Sequence, residues 1–193
     1  MGKDEHQEVG PTVLISSRFH QVVWEILLTC AHVSIHGGKA GQHDNNIIIA
    51  SPWISDLEHK HLKLSSPLLD GIERTTKREL SSLMRVIELL VKCGYVVHVV
   101  TSEPGCSKWK ANWSEEAVAR DRFLQDHLTK AGVNIVHDKT NHAKTISTPL
   151  AVISGSANLT DNGFFKNTEH MTLTMRTEDD FTNNRGVVKQ LIS

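Results

Sequence analysis

Apolar residues follow a helical period in several stretches of this chain. From residue 16 to 36 the pattern predicts an amphipathic helix, and the glycines at 37 and 38 end it. Residues 74–93 repeat the pattern and stop before Gly94. A further helix follows Ser114, whose side chain can cap it, and Gly132 ends that helix. The predicted core face of this third helix consists of Val118, Phe123, Leu124 and Leu128.

Short apolar runs lie between these helices and predict strands of a buried sheet. They are residues 47–50, 95–100, 133–136 and 150–153. Residues 56–72 predict an irregular polar connection, and a closing helix is expected near residues 179–191. Because helices and strands alternate, we predict an α/β sandwich with a mixed, largely parallel sheet. Its length and the absence of internal repeats indicate one domain over residues 1–193, with residues 1–10 frayed.

The chemistry of the sequence concentrates in residues 142–169. This stretch combines a histidine, a lysine, a small-residue turn and a carboxylate with two short apolar strands. His142 and Lys144 are separated by Ala143, so on a strand both polar side chains leave the same face. One face is therefore expected to hold a histidine beside a positive charge.

The second apolar run of this stretch ends in a turn of small and polar residues. Gly155 would let backbone approach a ligand closely, and Ser156 and Asn158 can each donate a hydrogen bond near the strand end. Glu169 follows shortly before the next strand and could orient an imidazole. Together with His142, these residues indicate an anion site that carries a nucleophile or a base.

These motifs resemble the signature of the phospholipase D superfamily. That signature is His-x-Lys, four residues, an Asp, six residues, Gly-Ser-x-Asn and, about a dozen residues later, a Glu. Here His-Ala-Lys is residues 142–144, Gly-Ser-Ala-Asn is residues 155–158, and the glutamate is Glu169. Pro149 occupies the Asp position and the spacing to the glycine is one residue short, so we expect a trimmed hairpin. In the family that Asp is less directly involved than the His, Lys and Asn.

The resemblance implies an αβα sandwich fold and a phosphodiesterase activity. The catalytic residues it implies are His142, Lys144, Ser156, Asn158 and Glu169. The family's active site uses two motifs and this chain carries one, so the resemblance implies a homodimer with the site at the two-fold interface. The implied reaction is phosphodiester cleavage through a phosphohistidine. It implies no cofactor and no metal ion, because lysines supply the positive charge.

The overall charge does not indicate a particular partner. With 21 basic and 22 acidic residues the formal net charge is −1, so any basic surface must be local. One candidate lies in the loop after residue 100, where Lys108, Trp109 and Lys110 could bind phosphates and stack on unpaired bases. The alternative is a solvated loop whose tryptophans anchor it to the body of the protein.

Several other side chains favour ordinary structural roles. His59 and His61 lack a third spaced ligand and are more typical of a solvated loop than of a metal site. Cys30, Cys93 and Cys106 follow no metal-ligand spacing and fit free, buried thiols in a reducing compartment. Since no signal peptide or membrane span is recognisable, we expect a cytoplasmic protein with no membrane partner.

The substrate prediction rests on the resemblance, because a fold alone does not determine a substrate. Short members of the family with a single motif are more often nucleases, including ones encoded in phage-defence and restriction operons. We therefore expect DNA or RNA as the substrate and a larger defence complex as a further partner. Two alternatives stay open, a phospholipid phosphodiesterase and a catalytically idle binding or scaffold subunit. The retained motif residues argue against the idle subunit.

Overall fold

The computed structural model describes residues 12–38, 44–57, 66–105, 114–160, 162–163, 167 and 169–193. Within these ranges the strands are β1 (Thr12–Ile15), β2 (Asn46–Ala50), β3 (Val96–Thr101), β4 (Asn134–His137), β5 (Thr145–Ser147), β6 (Ala151–Gly155) and β7 (His170–Met175). The helices are α1 (Ser16–Ile35), α2 (Pro67–Thr76), α3 (Leu83–Lys92), α4 (Glu115–Lys130) and α5 (Phe181–Lys189), which a 3-10 turn at Gln190–Ile192 follows. The strands form one sheet in the order β1-β7-β6-β5-β2-β3-β4.

Helices cover both faces of the sheet, which confirms the predicted α/β sandwich. Strand β2 lies near its centre and is apolar on both sides. Ile47 and Ile49 join the larger core, to which α1 to α4 contribute, whereas Ile48 and Ala50 pack in a smaller core beneath α5. Because side chains alternate between the two faces along a strand, the uninterrupted apolar run of β2 follows from burial on both sides.

The sheet is mixed, as predicted, but parallel pairs are its minority. Strands β2, β3 and β4 pair in parallel through helical crossovers. The pairs β2–β5, β5–β6, β6–β7 and β7–β1 are antiparallel. This corrects the expectation of a largely parallel sheet. For the pair β5–β6 the physical reason is the short turn between them, since so short a connection can join only antiparallel strands.

The helix predicted over residues 74–93 is two helices, α2 and α3. Helix α2 ends at Lys77, which adopts a left-handed conformation with φ of 53°, and α3 begins after the extended residue Ser82. Between them Leu80 is buried and its backbone N–H donates to the Glu73 carboxylate at 2.7 Å. Because Leu80 is buried, the apolar period of the sequence continues through the segment in which the helix is interrupted. Helix α2 also replaces part of the irregular connection expected over residues 56–72.

Two other predicted helices are confirmed together with their end signals. Helix α1 ends before Gly37 and α4 ends before Gly132, and both glycines adopt positive φ values, 77° and 94°. The Ser114 hydroxyl accepts a hydrogen bond from the backbone N–H of Ala117 at 3.3 Å, so it caps α4 as predicted.

The core face of α4 is narrower than predicted. Leu124 and Leu128 are buried, but the Phe123 side chain is 67% exposed. Helix α4 packs against the edge strand β4 and against α3, so only a narrow stripe of the helix meets the core. Phe123 lies outside that stripe, which corrects its assignment to the core.

Cys30 and Cys93 are free thiols, as predicted, but only Cys30 is buried, and Cys106 lies outside the described residues. Burial raises the pKa of the Cys30 thiol to about 11, so this side chain is an uncharged core group near neutral pH. No helix in the described ranges is long and apolar enough to span a membrane.

Candidate active site

All seven strands of the described sheet have an end at the same edge. The parallel strands β2 and β3 reach this edge with their carboxyl ends, at Ala50 and Thr101. Strand β6 also ends there, whereas the antiparallel strands β5 and β7 begin there. In open α/β sheets the carboxyl ends of the parallel strands are the usual position of a ligand site. The predicted motif residues lie around this edge.

A cavity of about 160 Å³ opens at this edge. Its lining residues are Pro52, Trp53, His142, Lys144 and Asn158. Three of these come from the predicted motif, and Pro52 and Trp53 come from the segment that follows β2. A water molecule occupies roughly 30 Å³ of the liquid, so the cavity has room for a phosphoryl group with part of its substituents.

His142 and Lys144 lie in an irregular segment immediately before β5, whereas the sequence predicted them on the strand. The segment continues the line of the strand, because the Gly155 N–H donates to the Lys144 carbonyl at 3.1 Å. Ala143 packs against the smaller core, and the two polar residues both line the cavity. The Lys144 ammonium donates to the His142 carbonyl at 2.8 Å, which holds the positive charge close to the histidine.

Asn158 contributes a buried polar group to the cavity. Its Oδ1 has no hydrogen-bond partner among the described residues, although Asn158 lines the open space. A buried polar atom without a partner costs on the order of 1–3 kcal/mol. Only a donor can satisfy this oxygen, so the group that can donate to the oxygens of a bound phosphate is the Nδ2 amide of the same side chain.

Ser156 and Glu169 form a pair at the end of β6. The Ser156 hydroxyl donates to Glu169 Oε2 and accepts from the His170 backbone N–H at 3.1 Å. The other carboxylate oxygen, Oε1, accepts from Asn167 Nδ2 at 3.1 Å. These hydrogen bonds place the Glu169 carboxylate against Ser156, and neither residue is among the described residues that line the cavity.

Comparisons with solved structures support the fold described above. No protein-family model matches the chain, and no curated protein matches it. Solved structures do match. Nuc, a phospholipase D family member from Salmonella typhimurium, is 15% identical with a TM-score of 0.50, and the alignment covers 95% of this chain and 93% of that chain. The chain therefore shares its fold with this phospholipase D family member.

Two further solved structures align over 95% of this chain. Polyphosphate kinase from Porphyromonas gingivalis is 15% identical with a TM-score of 0.56, and only 26% of that larger chain is covered. NucT from Helicobacter pylori is 12% identical with a TM-score of 0.49 and is covered over 95% of its length. The match to Nuc confirms the fold predicted from the motif resemblance.

Pro149 lies away from the cavity. It belongs to the turn between β5 and β6, at the opposite ends of these strands from His142 and Gly155. The turn is short, as predicted, and Thr148 closes it, because its hydroxyl accepts from the N–H groups of Leu150 and Ala151 at 3.1 Å each. Proline in the Asp position therefore removes no group from the cavity lining.

Gly155 of the phospholipase D motif makes room for a neighbouring strand. A Cβ at this position would overlap the His170 carbonyl oxygen and lie 2.8 Å from Met171 Cα. Both neighbours belong to the beginning of β7, so any side chain here would push β6 and β7 apart. The close approach that the glycine permits in this structure is that of strand β7.

Another glycine near the site had no signal in the sequence analysis. Gly163 lies beside Asn158, and a Cβ there would overlap the Asn158 carbonyl oxygen and lie 3.0 Å from its backbone nitrogen. Gly163 therefore allows the loop after β6 to fold back on the asparagine of the motif. Its signal in the sequence is weak, because a lone glycine five residues after the motif is common in loops.

Lys108, Trp109 and Lys110, the predicted substrate-binding residues, lie outside the described residues, and so do His59 and His61. Within the described part of the chain, no three His, Cys, Asp or Glu side chains form a group that could hold a metal ion.

Proposed function

We propose that this protein is a metal-independent phosphodiesterase that cleaves DNA or RNA through a phosphohistidine intermediate. The observation that carries the proposal is the cavity in which His142, Lys144 and Asn158 meet. A nucleophile, a positive charge and a side-chain amide that can donate from its Nδ2 group then surround a space of phosphoryl size. Stabilisation of developing charge by such fixed groups is usually the largest contribution to catalysis of this kind.

In the first step, an imidazole nitrogen of His142 attacks the phosphorus of the substrate. A phosphorus–nitrogen bond forms while the bond from phosphorus to the leaving oxygen breaks. Lys144 and Asn158 hold the non-bridging oxygens, on which negative charge increases in the transition state. The leaving oxygen must take up a proton, so a second proton-carrying group is needed beside the cavity.

A second copy of the chain would supply that group. The described residues of one chain place a single motif histidine in the cavity. We propose that His142 of the partner subunit donates the proton to the leaving oxygen across a two-fold axis. In the second step it takes a proton from water, the water oxygen attacks phosphorus, and the phosphorus–nitrogen bond breaks to release a phosphate monoester.

The aromatic wall of the cavity supports a nucleic-acid substrate. Trp53 lines the cavity together with Lys144, so a cation that can hold a phosphate stands near an indole ring. Bases of single-stranded nucleic acids stack on such rings, with contributions on the order of 1–3 kcal/mol per base.

The test is cleavage of labelled single-stranded and double-stranded DNA and RNA by the purified protein in EDTA. The wild type is compared with His142→Ala and with His36→Ala, a matched control. His36 is an exposed histidine at the end of α1, beside residues that contact the end of α3 rather than the cavity. We expect His142→Ala to abolish cleavage with its circular dichroism unchanged, and His36→Ala to keep full activity.

Trapping of the intermediate tests the chemistry itself. A substrate with a radioactive phosphorus at the scissile position should label the wild type after rapid acid-free quenching, since phosphohistidine is labile in acid. His142→Ala should stay unlabelled. Cleavage that EDTA removes would contradict the metal-independent reaction, and cleavage that survives in His142→Ala would contradict the role of this histidine.

A further inference from the structure

Each chain segment that lines the cavity is adjacent in sequence to a buried hydrogen-bonded group. Ser51 directly precedes Pro52 and Trp53, Asn141 directly precedes His142, and Leu159 directly follows Asn158. None of these three adjacent residues is itself part of the cavity lining. Their hydrogen bonds connect the three segments to one another.

Asn141 connects the His142 segment to strand β3. Its side chain is buried, with 6% of the residue exposed. The Nδ2 group donates to the carbonyl oxygen of Val100 at 3.1 Å, and Oδ1 accepts from the backbone N–H of Ala143 at 2.8 Å. The amide therefore uses both its donor and its acceptor to hold the backbone on either side of His142.

Ser51 connects the other two segments. It is fully buried, and its hydroxyl donates to the Trp53 carbonyl at 2.6 Å while accepting from the Leu159 N–H at 3.1 Å. A second bond joins the same segments, because the Ser55 N–H donates to the Leu159 carbonyl at 2.8 Å. The positions of Trp53 and Asn158 are thereby fixed relative to each other.

The two connections meet at a single atom. The Val100 carbonyl accepts both the Ser51 N–H at 3.0 Å and the Asn141 side-chain amide at 3.1 Å. Val100 itself is fully buried, so water does not compete for its carbonyl. The acceptor at the end of β3 thus joins the three segments of the cavity wall into one network.

We propose that Asn141 and Ser51 are positioning residues that hold His142, Trp53 and Asn158 in their reactive arrangement through the Val100 carbonyl. The inference rests on the proposed function for its catalytic consequence. A reaction that depends on oriented groups loses on the order of a hundredfold in rate when one of them moves by about 1 Å. Loss of a network bond should therefore reduce turnover more than it reduces substrate binding.

The kinetic test uses Asn141→Leu and Ser51→Ala. Each variant removes the polar atoms of one connection and leaves the motif intact. We expect kcat to fall on the order of tenfold to a hundredfold with a much smaller change in KM. Asn141→Asp places a buried carboxylate oxygen against the Val100 carbonyl oxygen, so its kcat should fall at least as far as that of Asn141→Leu.

Thr148→Val is the matched control. Thr148 is also fully buried, and its hydroxyl also bonds backbone groups, at 3.1–3.2 Å, but it lies in the turn at the far end of β5. We expect this variant to lower Tm and to keep the wild-type kcat. If Asn141→Leu and Ser51→Ala stay folded with unchanged kcat, the positioning role is refuted. An equal loss of kcat in Thr148→Val would refute it too, since general destabilisation would then explain all three variants.

A second measurement does not depend on activity. Native-state hydrogen exchange should show loss of protection at the Ala143 amide in Asn141→Leu and at the Leu159 amide in Ser51→Ala, because each amide loses its acceptor. If the network acts as a unit, Ser51→Ala should also reduce protection at Ala143. Unchanged exchange at Ala143 in Ser51→Ala would overturn the coupling. A wild type that cleaves nothing would refute the proposed function. The exchange data would still show whether the hydrogen bonds of Ser51 and Asn141 are coupled.

Discussion

Arg185 of α5 provides the most specific stability prediction, which concerns the edge of the sheet opposite the cavity. Its guanidinium group is buried, with 6% of the residue exposed. It donates from Nε to Asp44 Oδ2 at 2.8 Å, from Nη1 to the Ser147 hydroxyl at 2.9 Å, and from Nη2 to the Asn46 carbonyl at 2.8 Å. One side chain thus connects α5 to the beginning of β2 and the end of β5.

Arg185→Met keeps the apolar stem and removes all three donors. Ser147 is fully buried, so water cannot easily replace its lost bond. Removal of one partner from a buried ion pair costs on the order of 3–5 kcal/mol. Asp44 remains 23% exposed and keeps its ion pair with Lys189, whose Nζ lies 2.6 Å from Oδ2. The expected loss of stability therefore lies near the lower end of that range. We expect the free energy of unfolding to fall by about 3 kcal/mol.

The loss should depend on pH. Burial favours the neutral acid, but hydrogen bonds from Arg185, Lys189 and Asn46 outweigh it and hold the pKa of Asp44 well below its usual range. A carboxyl group whose pKa is lower in the folded state stabilises the fold above its unfolded pKa, about 3.9. That contribution disappears as the pH falls below this value. The difference between wild type and Arg185→Met should therefore be largest near neutral pH and shrink below about pH 4.

Urea unfolding followed by circular dichroism at neutral pH and at acidic pH measures both effects. Lys189→Met is the control, because this lysine is 44% exposed and its pair with Asp44 should contribute less than about 1 kcal/mol. An Arg185→Met protein as stable as the wild type at neutral pH would refute the argument. A difference that stays constant down to the acid limit would show that the ion pair with Asp44 is not its source.

Two further predictions concern the motif and its surroundings. Gly163→Ala should lower kcat by roughly tenfold or more in steady-state cleavage assays, because the new Cβ displaces the Asn158 backbone; an unchanged kcat would contradict this. Pro149→Asp restores the family's residue in the turn, yet it should leave kcat unchanged and lower Tm, because Pro149 is buried and lies away from the cavity. A higher kcat in this variant would mean that the turn acts on the site.

The sequence predicted well those helices and strands whose burial produces a recognisable pattern of apolar residues within the element itself. Strand β2 is predicted by its apolar run, since both of its faces meet a core. The break between α2 and α3 could not be predicted in this way. Lys77 adopts a left-handed conformation without the glycine or asparagine that usually signals one, and the buried Leu80 continues the apolar period across the gap.

Three of the five predicted motif residues line the cavity, but the motif did not predict the contacts that hold them there. The bond between Ser51 and Leu159 joins residues 108 positions apart, and neither residue stands in an unusual sequence context. Asn141 likewise shows its role only when the end of β3 is placed beside it. A local signature thus identifies reactive groups, whereas their support comes from distant backbone atoms. This explains why a change inside the signature, Pro149, should matter less to turnover than changes at Ser51 or Asn141, which stand outside it.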